Sequence, residues 1–502
     1  MGEKRTVIYK LERHKWPDEI EAEKKARRRK FAVVCSCLLF FAAGFFVAKG
    51  TQGTVVSGEA SAEMQKLESV YTILNEDWYF GKDIQDLSTT LLEKAISAMA
   101  YSESDPHTYY MSQEDAQIFS SSLEGTFVGI GIQFYQNAQG QYVVSAVFEN
   151  SPAQKAGLQR GDLIISVMGE DCSTLSSGEI QELLALSEDE TAQIVIERDG
   201  AQQTVSVKPA VVDNTVAAYV EDGYGYVVLS SFAENSGTDM QSALQRIRDA
   251  GESKIILDLR DNGGGYLSSA LDIAACFLPQ DTIVFQSEDR SGERTEYKVT
   301  EGYTPISFDQ IVILMNENTA SASEVLISTL DENLGDQVIM IGNTTYGKGT
   351  MQTSVPFSDG TSLKYTTAQW FSSQGKQING VGITPDVEVS LDEARSIIGM
   401  PNYTEEISVE ADSVAVIAKP VQIYLRFLGY DADRSDEYFS QASSRALAQF
   451  QRDQGLEADG VIDNETAEAL VNAAGVYWNE HEEELDTQKR KAVEIIHGRE
   501  AV

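Results

Sequence analysis

The sequence predicts a multidomain α/β protein in which a β-rich module interrupts a chain of helices and strands, with one membrane-spanning helix near the N-terminus. Three observations predict it. At 502 residues the chain is too long for one ordinary hydrophobic core and suits about three or four folded units. Phe31–Ala48 is an uninterrupted uncharged stretch between Lys30 and Lys49, just long enough as a helix to cross a bilayer. From Tyr224 onward, short apolar runs alternate with helical patterns, which is the signature of an α/β core.

Residues 1–30 form a basic segment containing Lys24, Lys25, Arg27, Arg28, Arg29 and Lys30, which places that end in the cytoplasm and everything after the span (31–48) outside. A cleaved signal peptide is the competing reading. About thirty mostly polar residues precede the apolar run, more than a signal peptide usually carries, and this favours a retained anchor. The net charge is −39, and residues 1–50 hold 12 basic and 6 acidic side chains, so the exported part is more acidic still. Nucleic-acid partners are therefore excluded, and the acidity serves solubility.

A Gly/Thr/Ser/Ala-rich linker (49–62) leads to a helical region (63–122) in which Leu67, Val70, Tyr71 and Leu74 share one face. The β-rich module (123–210) begins with the run FVGIGIQF and ends in two alternating strands joined by Asp199-Gly200, a strong hairpin signal. The α/β core spans 211–400, a helical unit 415–475, and an acidic helical tail 476–502. Cys172 and Cys276, the two exported cysteines, show neither a disulfide framework nor zinc spacing and read as buried small hydrophobes.

Only three histidines, His107, His481 and His497, lie beyond the span, so a histidine metal cluster is hard to assemble and no HExxH pattern exists. No cofactor or metal is implied. For a Ser-His-Asp arrangement His107 is the one candidate outside the tail, in a segment that reads as structural. The run Asn316-Glu-Asn-Thr-Ala-Ser-Ala-Ser-Glu324 follows an apolar strand and opens a helix, so small residues let a substrate backbone approach Ser321 while helix N-terminal amides face it. An ordinary helix cap fits that run as well. Lys348 sits between two glycines in uncharged surroundings and is the natural base for Ser321. Holding it neutral means lowering an amine from about 10.4 to roughly 7–8, a burial cost of about 4 kcal/mol. A solvated surface lysine is the alternative. The turn Asp258-Leu-Arg-Asp-Asn-Gly-Gly-Gly-Tyr266 ends a buried strand with amides free to complete an oxyanion site, although a plain glycine turn has the same sequence.

DLRDNGGG, TASASE and TYGKGTMQ, in this order and separated by α/β structure, resemble the carboxyl-terminal processing, or tail-specific, serine peptidases; GVGITPDVEV (380–389) resembles the end of their catalytic domain. The resemblance implies a crotonase/Clp-protease-like ββα core, with Ser321 as nucleophile, Lys348 as general base and Gln352 orienting the lysine. It places the oxyanion amides at Gly264 and Ala322. The interval from Ser321 to Lys348 is about two residues longer than the family pattern, and the extra length is assigned to a loop insertion at Asp331–Gly335.

The β-rich module resembles a PDZ domain, from Gly129-Ile-Gly-Ile132 through Ser151–Leu163. That resemblance implies capture of a peptide carboxylate by Gly129, Ile130, Gly131 and Ile132 and strand addition of an apolar C-terminus, with Ile180, Leu183 and Leu184 lining its pocket. Residues 421–474 resemble a three-helix peptidoglycan-binding domain, although its usual Asp-Gly-x-Phe-Gly loop reads Asp436-Glu-Tyr-Phe-Ser440, so packing or dimerisation stands beside glycan binding.

The composite expectation is a single-pass protease of the cell envelope of a Gram-positive bacterium that cuts polypeptides near exposed apolar C-termini, with a homodimer left open. The rivals are a catalytically silent PDZ scaffold and a crotonase-like acyl-CoA enzyme.

Overall fold

Apolar runs with no polar alternation, such as Ile255–Leu257 and Ile311–Met315, suit parallel strands covered on both faces, and that is where they lie. The computed structural model describes residues 61–137, 139–187, 190–221, 223–397 and 407–498; the predicted span Phe31–Ala48 lies outside them. Among the described residues no helix is long and apolar enough to cross a membrane. The chain divides into two units, one ending at Ala98 and one beginning at Met99.

In the first unit the helix Ala62–Glu76 is capped by Ser61 and followed by the short turn Tyr79–Asp83. Met64, Leu67, Val70 and Ile73 recur every third residue and remain exposed, so this helix carries an unburied apolar stripe.

The second unit is built on a six-stranded sheet in the order Val216–Glu221, Tyr224–Leu229, Lys254–Asp258, Gln310–Met315, Val338–Gly342, Val387–Glu388. The first pair is antiparallel and the rest are parallel. Ile255, Leu257, Ile311 and Ile313 point to the side covered by the helices Ser236–Asp249, Leu267–Ala275 and Ala322–Leu334. Tyr226, Ile256, Val312 and Leu314 point to the other side and meet Ala492, Ile495 and Ile496. The tail thus packs against one face of this sheet. Its Asp486 pairs with the buried Arg260, and its Glu482 bridges Arg160 of the β-rich module and Lys489.

A second sheet centres on the long strand Ser362–Ser372, which pairs with Thr350–Pro356, Ile283–Asp289 and, near its start, Tyr109–Met111. Residues around 109 therefore serve the core rather than the helical region assigned to them.

The β-rich module has its own sheet, Ile132–Gln136, Tyr142–Val147, Leu163–Val167, Ala192–Arg198, Ala201–Val207, with Ile132–Gln136 at its edge. The run FVGIGIQF is not one strand. Thr126–Gly129 pairs with Ala210–Asp213, and the chain turns at Gly131, where φ is +85° and a Cβ would lie 2.4 Å from that of Ser151. The C-terminal module packs the helices Ala418–Phe427, Gln441–Gln454 and Asn464–Glu480 around Val421, Leu425, Leu447, Phe450 and Leu470.

Candidate active site

The strands Lys254–Asp258, Gln310–Met315 and Val338–Gly342 lie side by side, so the three turns that follow them meet at one edge of the sheet. There they surround a cleft of about 1130 Å³ whose walls include Ser321, Lys348, Gln352 and the glycines 263–265.

Ser321 is nearly buried and stands immediately before the helix Ala322–Leu334 with φ +58° and ψ −117°, a backbone conformation a non-glycine residue rarely adopts. The turn is held from two directions. Asn262, fully buried, accepts at its main-chain oxygen from Ala320 N–H (3.0 Å) and Ser323 Oγ (2.9 Å), while its side-chain amide donates to Leu229 O (2.7 Å). Thr319 Oγ1 donates to Leu259 O at 2.8 Å, tying the serine run to the glycine turn.

The second hold is Glu324, whose carboxylate is completely buried. One oxygen accepts from the main-chain N–H of Ser321 (2.8 Å) and of Lys348 (2.9 Å); the other accepts from Gly347 N–H (2.7 Å) and Thr345 Oγ1 (2.6 Å). One side chain thereby fixes the serine turn against the lysine turn. The lysine turn is fixed again by Trp370, whose indole N–H donates to Lys348 O at 2.9 Å. Gly347 has φ +83°, and a Cβ there would meet Gly382 N at 2.8 Å, so GKG and GVG touch backbone to backbone.

The Lys348 amine is half-buried. Burial pushes its pKa below the usual lysine value, the ammonium of Lys364 pushes it further down, and Glu324 opposes both. Gln352 Nε2 donates to Thr350 Oγ1 (2.8 Å) and Thr366 Oγ1 (3.3 Å). Thr366 Oγ1 in turn donates to Asp105 Oδ1 at 3.0 Å. Asp105 also accepts from His107 N–H and Thr108 Oγ1, so the segment around His107 is anchored to the site, and burial together with the nearby Lys348 charge depresses the His107 pKa.

Gly264 has φ +100° and lies against Ser321; a Cβ there would fall 2.8 Å from Ser321 Cβ. Its N–H donates to Asn262 Oδ1 at 2.9 Å. The amide of Ala322 opens the helix beside it. At the root of the same turn Arg260 forms a two-pronged pair with Asp258 (2.6 and 2.9 Å) and reaches Asp486 at 2.8 Å, and Tyr226 Oη donates to Asp258 at 2.6 Å.

The segment Asp331–Gly335, expected to be a loop insertion, is not a loop. Asp331–Leu334 continue the helix Ala322–Leu334, and Gly335–Gln337 form one tight turn, because Glu332 faces inward to accept from Ser372, Ser373 and Gln374.

In the β-rich module Ile130, Ile180 and Leu184 are buried in its core, and Ile132 and Leu183 are half-buried and packed against it. Cys172 and Cys276 are buried, with thiol pKa values pushed up to about 11 and about 12 by burial.

Glu324, Asn262, Asp258 and Arg260 were not singled out from sequence. The acidic residue three after Ser321 was the available signal for Glu324, since a carboxylate there reaches back to the preceding amide.

Residues 223–389 match peptidase family S41, residues 143–198 a PDZ domain and residues 418–470 a peptidoglycan-binding domain. A CtpA-like serine protease of Staphylococcus aureus is 30% identical over 426 residues, spanning 85% of this chain and 84% of the relative. The chain belongs to peptidase family S41. The corresponding Staphylococcus haemolyticus protein is 30% identical over 427 residues, covering 84% of each. Among solved structures, the photosystem II D1 C-terminal processing protease is 23% identical with a TM-score of 0.37, covering 66% of this chain and 94% of that one. A family S41 protease from Bacteroides fragilis is 19% identical with a TM-score of 0.38, covering 65% and 91%. As an S41 peptidase the protein is a serine endopeptidase of the cell envelope, with Ser–Lys dyad chemistry and a PDZ domain for substrate C-termini.

Proposed function

We propose that Ser321 attacks the substrate carbonyl while Lys348 takes the hydroxyl proton, that the proton passes to the leaving amine as the acyl-enzyme forms, and that water then releases the acyl group by the reverse transfer. The observation that carries this reading is the Glu324 carboxylate, which holds the turns of both residues on the wall of one cleft. Gln352 orients the lysine from the threonine pair it binds. Ala322 N–H supplies one oxyanion donor. Gly264 N–H supplies the second after turning from Asn262 Oδ1 toward the developing charge.

The remaining assignments are proposed with it. The core is of the crotonase/Clp-protease-like ββα type, supported by its parallel strands and covering helices. Gly129–Ile132 captures the substrate carboxylate, supported by the free edge of Ile132–Gln136, along which a peptide adds as a strand. Phe31–Ala48 anchors the enzyme in the membrane of a Gram-positive cell, 415–475 contacts peptidoglycan, and the exposed stripe Met64–Ile73 pairs two copies.

The test uses unstructured peptides with apolar C-termini, free or amidated, and the Ser321→Ala and Lys348→Ala variants. Cleavage by the unmutated protein and its loss in both variants is expected. Variants that cut as well as the parent would refute the dyad, and equal cleavage of free and amidated peptides would refute carboxylate capture alone.

A further inference from the structure

The protein carries 78 acidic side chains against 39 basic ones, yet among the described residues the only charged side chains lining the catalytic cleft are Lys348 and Lys364. Among the described residues no carboxylate lines the cleft.

Lys364 stands on the strand Ser362–Ser372, directly across from Tyr109. Its ammonium donates to Tyr109 Oη at 3.2 Å and sits 4.4 Å from the centre of the Phe119 ring and 5.1 Å from that of Tyr109. No carboxylate lies within ion-pair distance of it among the described residues, and burial lowers its pKa without an anion to oppose the shift. A lysine on a surface strand ordinarily extends its stem and leaves the charged head in bulk water. Here two aromatic rings hold the head at the cleft wall, and among the described residues its hydrogen-bond acceptor is the Tyr109 hydroxyl. Lys348 cannot serve as an anion contact, because its role requires a neutral amine.

We propose that Lys364 is a specificity residue for the cleaved segment: it receives the carboxylate of an aspartate or glutamate lying within a few residues of the scissile bond. This rests on Ser321 and Lys348 being the dyad, and it adds a second recognition point, distinct from capture of the C-terminus by the PDZ domain. The ligand is an acidic side chain inside the polypeptide. A half-desolvated ammonium meets such a group by a charge-assisted hydrogen bond, with the rings of Phe119 and Tyr109 covering part of it.

The test takes a peptide that the full-length protein cleaves, amidated to silence carboxylate capture, and places Glu or Gln in turn at the positions flanking the cut. Binding is read by fluorescence anisotropy on the Ser321→Ala full-length chain, where no turnover intervenes. At one position Glu is expected to bind about tenfold more tightly than Gln. Lys364→Met should bring that ratio to near one, and Lys364→Arg should keep most of it. Equal binding of Glu and Gln at every position, or a preference that survives Lys364→Met, would overturn the proposal.

Turnover separates this proposal from the dyad. Wild-type protein cutting the Glu and Gln peptides at the same kcat/KM overturns the subsite and leaves the dyad standing. Retained cleavage by Ser321→Ala overturns the dyad, while the binding ratio still decides the subsite.

Discussion

Glu324→Gln is the substitution that most directly probes how the two turns are held together. The native carboxylate accepts four hydrogen bonds, two on each oxygen, in a fully buried position. A glutamine has one oxygen and one NH2 group in the same space. If its oxygen keeps Gly347 and Thr345, the NH2 faces the N–H groups of Ser321 and Lys348 and leaves two buried donors without acceptors. At about 1–3 kcal/mol for each, the variant should lose about 2–6 kcal/mol of stability. The turns then move apart. A displacement of about 1 Å between nucleophile and base costs on the order of a hundredfold in kcat.

The same change has a signature that simple loosening lacks. The rate should rise with pH as Lys348 loses its proton, along a limb centred below the ordinary lysine value of 10.5. The Glu324 anion raises the Lys348 pKa, so removing it must move that limb to lower pH. Urea unfolding, kcat and the pH profile of kcat/KM measure the three effects. A variant within about 0.5 kcal/mol of wild type in stability and within about twofold in kcat would refute the claim that this carboxylate joins the two turns.

Gly264→Ala places a methyl group 2.8 Å from Ser321 Cβ and 2.9 Å from Ala322 N at a residue with φ +100°, so kcat should fall by about a hundredfold or more, and near-normal turnover would refute the contact. Truncation after Glu480 removes Ala492, Ile495 and Ile496 from the sheet face and Asp486 from Arg260. It should cost about 5 kcal/mol or more and abolish activity; unchanged thermal and urea unfolding would show that the tail is dispensable.

The parts of this architecture legible in sequence are those written in local pattern. The apolar runs 255–257 and 311–315 reveal buried parallel strands because such strands have no solvent face to mark with polar residues. Ser321 and Lys348 are legible because small residues must surround a group that a substrate backbone approaches. Glu324 and Asn262 are less so. Their importance lies in partners far along the chain, and a carboxylate in a helix's first turn usually signals no more than a cap. The run FVGIGIQF misleads because its alternation continues through Gly131, where a backbone with φ of +85° breaks the strand. The tail misleads by charge: Glu482 and Asp486 look solvated until Arg160 and Arg260 are found opposite them.

The pairing of Arg260 with Asp486 also orders events in time. The two residues are 226 positions apart, with the whole peptidoglycan-binding module between them. At ribosomal speeds of about 5–20 residues per second, the arginine beside the glycine turn waits roughly 10–45 seconds for its second carboxylate, and the sheet face above it stays bare meanwhile. A nascent chain therefore cannot cover that sheet face before the peptidoglycan-binding-like module at 418–470 has been made. Any fragment that stops short of that point leaves Arg260 without Asp486 and that face of the sheet uncovered.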